Sequence, residues 1–89
     1  MHIIILVIIV KISCIKGKND ESSFKILKNF GADVYEIEDF EETDNTIKQL
    51  VQKDYKTIWI TNELAGFSED IIKKYSRNND INIIIAPSK

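Results

Sequence analysis

The chain has 89 residues, of which 44% are hydrophobic and 29% charged, with a formal net charge of −2 and a single cysteine. That length holds one domain, residues 1–89, which buries about 60–65% of its unfolded surface and leaves no room for a deep cavity. The charge balance excludes the basic face of a nucleic-acid binder, and one cysteine excludes an internal disulfide and points to a reducing cytoplasm.

Ile3 to Val10 is an unbroken apolar run with a β-branched bias that favours a strand. Lys11 ends it well short of the ~20 residues that a membrane span needs, so no membrane insertion is expected. A secretory leader would need a basic start and a small-residue cleavage site, and neither is present. The first strand therefore lies within Ile3 to Ile15, closed by Gly17-Lys18-Asn19-Asp20. Asp20 can cap a helix running to Phe30, with Phe24, Leu27 and Phe30 on one face and Gly31 as its stop. Ala32 to Ile37 alternates as an edge strand does, with Tyr35 and Ile37 inward and Glu36 and Glu38 outward.

Thr43 or Asp44 can cap the next helix, whose apolar face is Ile47, Leu50, Val51 and Tyr55 at three- and four-residue spacings. Lys56 to Thr61 is apolar on both faces around Ile58, Trp59 and Ile60, as a central strand would be. Ser68 can open a last helix. Glu69 and Asp70 sit in its first turn and Lys73, Lys74 and Arg77 towards its end, the charge order that a helix dipole favours. Ile71, Ile72 and Tyr75 form its buried side. Ile81 to Ala86 is the final strand, and Pro87 cannot donate to a ladder. Strands separated by helices imply right-handed crossovers. The fold class expected is α/β: a four-stranded parallel sheet of flavodoxin-like order 2-1-3-4, with helices on both faces.

Ligands of such sheets gather beyond the carboxyl ends of the strands, at the switch between the first and third. Here that crevice would hold Gly17, Lys18, Asn19 and Asp20 on one side and Thr61, Asn62 and Glu63 on the other. It lacks the three-glycine dinucleotide fingerprint and the end of a Walker loop, so no cofactor is expected. A receiver-type phosphoacceptor site would need an acid after the third strand, which instead ends in Thr61. The segment between Gly31 and Ile47 carries Asp33, Glu36, Glu38, Asp39, Glu41, Glu42 and Asp44 with no lysine or arginine. It reads as a solvated edge or as a docking strip for a basic partner. Cys14, followed by Ile15-Lys16-Gly17 and by Ser22-Ser23, resembles the phosphocysteine loop of a sugar phosphotransferase IIB component. Lys16 and Lys18 would favour a thiolate there, whereas Asp20 and Glu21 would repel a phosphate. The plainer reading makes Cys14 a small buried residue in a strand.

Most of the chain, from about Lys11 to Lys89, resembles the F subunit of V-type and archaeal-type rotary ATPases. Near the front, Gly17, Asp20, Phe24, Leu27, Phe30-Gly31 and Val34 are similar to the family's glycine-aspartate loop, its helix and the glycine turn after it. Near the back, Ile58-Trp59-Ile60-Thr61-Asn62-Glu63-Leu64-Ala65 and Ile85-Ala86-Pro87-Ser88-Lys89 are similar to its apolar strand with threonine, acid and alanine, and to its proline-serine-lysine signature. Lys18 stands where the family has an aspartate, and residues 1–9 precede the family-like region as an N-terminal extension. By this resemblance the first strand would begin at Lys11, and the family's carboxyl tail would follow Lys89.

The resemblance implies a non-catalytic part of the central stalk. Such a component binds the coiled-coil D subunit among the other ATPase subunits, modulates ATP hydrolysis coupled to ion transport, and lies peripheral to a membrane-bound complex. The partner-binding residues expected are Thr61, Asn62, Glu63, Leu64 and Ala65 beyond the third strand, and Pro87, Ser88 and Lys89 beyond the fourth. No catalytic, cofactor-binding or metal-binding residue is expected.

Overall fold

The computed structural model describes residues 11–21, 23–78 and 80–87. The apolar run at 3–10, together with Ser88 and Lys89, lies outside them. The elements in chain order are β1 (Ile12–Gly17), α1 (Lys25–Asn29), β2 (Asp33–Ile37), a 3₁₀ turn (Phe40–Glu42), α2 (Thr43–Gln52), β3 (Thr57–Thr61), α3 (Asn62–Ala65), α4 (Glu69–Ser76) and β4 (Asn82–Ala86). All strand pairs are parallel, as the strand–helix alternation requires, and the sheet order is the expected β2-β1-β3-β4.

Register divides the sheet into two faces. Ser13, Ile15 and Gly17 align with Asp33, Tyr35 and Ile37 on one side and with Ile58 and Ile60 on the other, and Ile83 and Ile85 continue the row. This face carries the core. Ile15, Ile37, Ile58 and Ile60 pack with Ile47 and Leu50 of α2, Tyr55, Leu64 and Ala65 of α3, and Ile72 of α4. The opposite face presents Cys14, Lys16, Val34, Trp59, Ile84 and Ala86. The segment around α1 covers its β1–β3 part, with the Phe24 ring edge-on to Trp59 at 6.5 Å. Helices thus occupy both faces, unequally.

Four local expectations change. Asp20 does not cap α1: its carboxylate accepts from the Ser23 amide (3.0 Å) and hydroxyl (2.7 Å), closing a turn of its own. The chain then passes through Phe24 at φ 67°, so α1 starts late and buries no residue. Phe30, expected inward, is 85% exposed, and Gly31 takes φ +100° to turn the chain into β2. Asp39, rather than Thr43 or Asp44, caps the next helical segment by accepting from the Glu41 amide, because a 3₁₀ turn precedes α2. Thr43 is fully buried and its hydroxyl donates to the Phe40 carbonyl at 2.6 Å. Ser68 stands before α4, but its hydroxyl donates to Asp44 and makes no side-chain cap.

Ser13 Oγ is buried with no hydrogen-bond partner among the described residues. An unsatisfied buried hydroxyl opposes folding, so Ser13→Ala should raise stability by about 1 kcal/mol. Ile60→Ala, which opens a cavity at the fully buried centre, should cost about 2–5 kcal/mol. Urea unfolding of the two variants checks both signs; a destabilised Ser13→Ala would mean that the hydroxyl has a partner.

Candidate partner-docking site

The carboxyl ends of β1 and β3 define one end of the molecule. β3 stops because Thr61 switches from strand to cap: its Oγ1 accepts from the Leu64 amide at 3.4 Å and starts α3. Leu64 and Ala65 then drop into the core. Thr61, Leu64 and Ala65 are therefore buried, whereas Asn62 and Glu63 are exposed. Of the segment Thr61–Ala65, two side chains face solvent and three hold them in place. Pro87 is exposed beyond β4, on the same side of the sheet as the strand ends.

The switch-point crevice exists. It is a cleft of about 490 Å³ lined by Gly17, Lys18, Asn19, Asp20, Ile37, Glu38, Phe40 and Glu63, with Thr61 and Asn62 outside it. Gly17 is what lets Phe40 close its floor, since a Cβ there would lie 3.3 Å from the ring. Phe40 in turn meets Phe67 edge-on at 5.2 Å, and Phe67 is 53% exposed. The sequence pattern did not single out Phe67; its signal was an apolar residue directly after Gly66 in a polar connection. Lys18 pairs with Glu38 at 3.0 Å across the strand ends, and Lys16 donates to the Asp20 carbonyl and lies 3.5 Å from Glu36. With Asp20, Glu38 and Glu63 set against Lys18 on its walls, the cleft carries an acidic excess that disfavours phosphate.

Several acids of the 33–44 segment are engaged within the fold. Asp33 accepts from the Tyr55 hydroxyl at 2.5 Å, and Tyr35 and Tyr55 hydroxyls lie 3.1 Å apart. The Asp33 hydrogen bond, then the Tyr35 bond and burial, push the Tyr55 phenol well above its ordinary range. Asp39 caps the 3₁₀ turn and Asp44 holds Ser68. The strip therefore functions in good part as an internal clamp.

Cys14 sits in β1 at 0% exposure, and burial, then the Asp33 charge, push its thiol up to about 11. A phosphocysteine loop needs the reverse, an exposed thiol with a lowered value. Among the described residues no cluster of histidine, cysteine or acid side chains could hold a metal, and no helix is long and apolar enough to cross a membrane.

No protein-family model matches the chain. It is, however, similar to known proteins over 78 residues, 88% of its length. It is 33% identical to the F subunit of the V-type ATP synthase of Fusobacterium nucleatum, covering 71% of that protein. It is 32% identical to the corresponding protein of Clostridium perfringens, covering 71% of it. To that of Clostridium botulinum strain Eklund 17B it is 30% identical, covering 73%. The chain belongs to the F-subunit family of V-type ATP synthases.

A member of this family whose lone thiol is a core residue has a simple chemical signature. At pH 8 a thiol at about 11 is roughly 100-fold less ionised than one at the ordinary value of 9.0, before access is counted. Cys14 should therefore resist alkylation until the chain is unfolded in denaturant. Fast labelling of the native protein would show that the thiol is exposed and reactive. The raised value also gives a sign for pH: the unfolded thiol ionises first, so its contribution to stability is complete below about 9 and is lost as pH rises towards about 11.

Proposed function

We propose that the chain is a non-catalytic component of the central stalk of a rotary ATPase. In this role it docks on the D subunit of the shaft, lies among the other ATPase subunits on the cytoplasmic side of the membrane, and modulates ATP hydrolysis coupled to ion transport without touching nucleotide. The observation that carries the reading is the 30–33% identity to three F subunits of V-type ATP synthases across 88% of the chain.

The geometry supports it in three ways. The buried, desolvated Cys14 and the acid-walled cleft favour binding over chemistry. The exposed residues at the strand ends sit on a rigid base, because Thr61, Leu64 and Ala65 are fixed by a cap and by core packing. A preformed surface loses little conformational freedom when a partner arrives, so more of the contact energy appears as affinity. The docking residues proposed are Asn62, Glu63 and Pro87, with Phe67 as the apolar centre; Ser88 and Lys89 belong to the same proposed surface by sequence.

Titration calorimetry against the matching D subunit tests the reading. A dissociation constant of about 1 μM or tighter is expected, weakened roughly tenfold by Glu63→Lys and more by Phe67→Ala, since buried aromatics dominate interfaces. No binding at about 100 μM, with both proteins folded, would contradict it.

A further inference from the structure

The second face of the sheet keeps an apolar groove of about 370 Å³ between α1 and β4. Trp59 is its floor, Phe24, Ile26 and Leu27 form its wall, and Ala86 and Pro87 stand at the end of β4. Among the described residues, only Ser23 and Lys25 line it with polar groups, and no acid does. Ile84 is the register partner of Trp59 on the same face, so it widens this apolar surface, and it is 36% exposed. Ile26 is 71% exposed. The cleft at the strand ends differs, since Lys18, Asp20, Glu38 and Glu63 line it. Apolar surface gathered in one place on a small domain calls for a cover.

The chain also carries a segment that calls for apolar surroundings. Residues 3–10, outside the described residues, are eight apolar side chains in a row with no charge among them. They are too few to cross a membrane and unfavourable in water. The first face is already filled by α2, α3 and α4 except at Ile85, which leaves the second face as the larger open surface. Connection and length both suit it. The run joins the amino end of the central strand through Lys11, whose Nζ donates to the Lys53 carbonyl at 2.8 Å and lies 4.6 Å from the centre of the Tyr55 ring. Crossing the ~10 Å between packed layers takes about three residues, which leaves about five to lie along the face. At ~3.3 Å per residue those five reach ~17 Å, and the four steps from Thr57 to Thr61 along β3 need only ~13 Å.

We propose that residues 3–10 fold back over the second face of their own chain and fill the groove between α1 and β4, covering Trp59 and Ile84. An uncharged run meets an uncharged floor, and the apolar surface of both leaves water together. The proposal goes beyond the stalk reading and does not rest on it, because Trp59 and Ile84 lie outside the docking surface. Either can fail while the other stands.

Trp59 is the single tryptophan of the chain, so its fluorescence reports on the groove alone. Acrylamide quenching is compared between the full chain and the double variant Ile5→Asp/Ile8→Asp, which puts two charges into the run. Buried carboxylates are unfavourable, so the variant should release the run and raise the quenching constant at least about twofold. The emission maximum should move to longer wavelength while circular dichroism stays native, and the difference should not depend on protein concentration. If the double variant loses its native circular dichroism, the milder Ile5→Ser carries the same comparison. Equal quenching in the full chain and the variant would overturn the proposal. So would a full chain whose Trp59 is quenched as readily as N-acetyltryptophanamide. Protection that appears only as concentration rises would also overturn it, because the runs of different copies would then be covering one another.

Discussion

A parallel sheet carries apolar side chains on both faces, and in this molecule the pairing of β1 with β3 at its centre decides where everything else lies. Their register aligns Ser13 with Ile58 and Ile15 with Ile60, which builds one face of the core. It also brings the ends of the two strands level, so that Gly17-Lys18-Asn19 and Asn62-Glu63 share one end of the molecule. Because the crossover helices α2, α3 and α4 all pack on the first face, that face is thick at its centre and opens only at β4, where Ile85 is 45% exposed. The second face has only the short α1 segment, so Trp59 lies under Phe24 while Ile84 stays partly open. The molecule has one thick side and one thin side.

That asymmetry fits a component of an assembly better than a catalyst. Ionisable groups near the core are consumed by structure: Asp33 and the two tyrosines join β2 to the end of α2, Asp44 and Ser68 join α2 to the start of α4, and Cys14 is desolvated in β1. The exposed features are of another kind. They are an aromatic ring on a rigid floor and an acid at a helix start. Each is a means of holding a surface, and neither places a nucleophile beside a base.

Much of this was legible in the sequence because strand identity here is carried by β-branched runs that have few alternatives. Ile58-Trp59-Ile60 reads as central and Ile81 to Ala86 as terminal, and the acidic alternation of Asp33 to Glu38 marks β2 as an edge. The order 2-1-3-4 is the flavodoxin-like one expected of four alternating strands with an acidic edge, and crossover handedness then sets the face of each helix. The amphipathic spacing of Ile47, Leu50 and Val51 located α2, but Tyr55, expected on the same helix face, reaches the core from beyond the helix end at Gln52. What escaped was the segment between Asp20 and Gly31, where two physical preferences compete. The Asp20 carboxylate closes on the Ser23 amide three residues ahead, the bond a helix cap would make, but no helix follows because Phe24 takes a left-handed conformation with its ring edge-on to Trp59. Phe30 is then left in solvent, although its spacing suggested a buried face. At the candidate site, sequence located the segment Thr61–Ala65 but not its division of labour. Which members face inward depends on where α3 begins, and a helix of four residues is too short to announce its phase.

On the stalk reading, a rigid and chemically quiet sheet presents the ends of β3 and β4 to a shaft. Amide hydrogen exchange of the chain, free and bound to the matching D subunit, tests this most directly. Slowed exchange is expected to concentrate in residues 61–67 and at Ala86, with the β1–β3 centre equally protected in both states. Slowed exchange confined to the α1 face, or a β1–β3 centre that gains protection only when the D subunit is present, would contradict it.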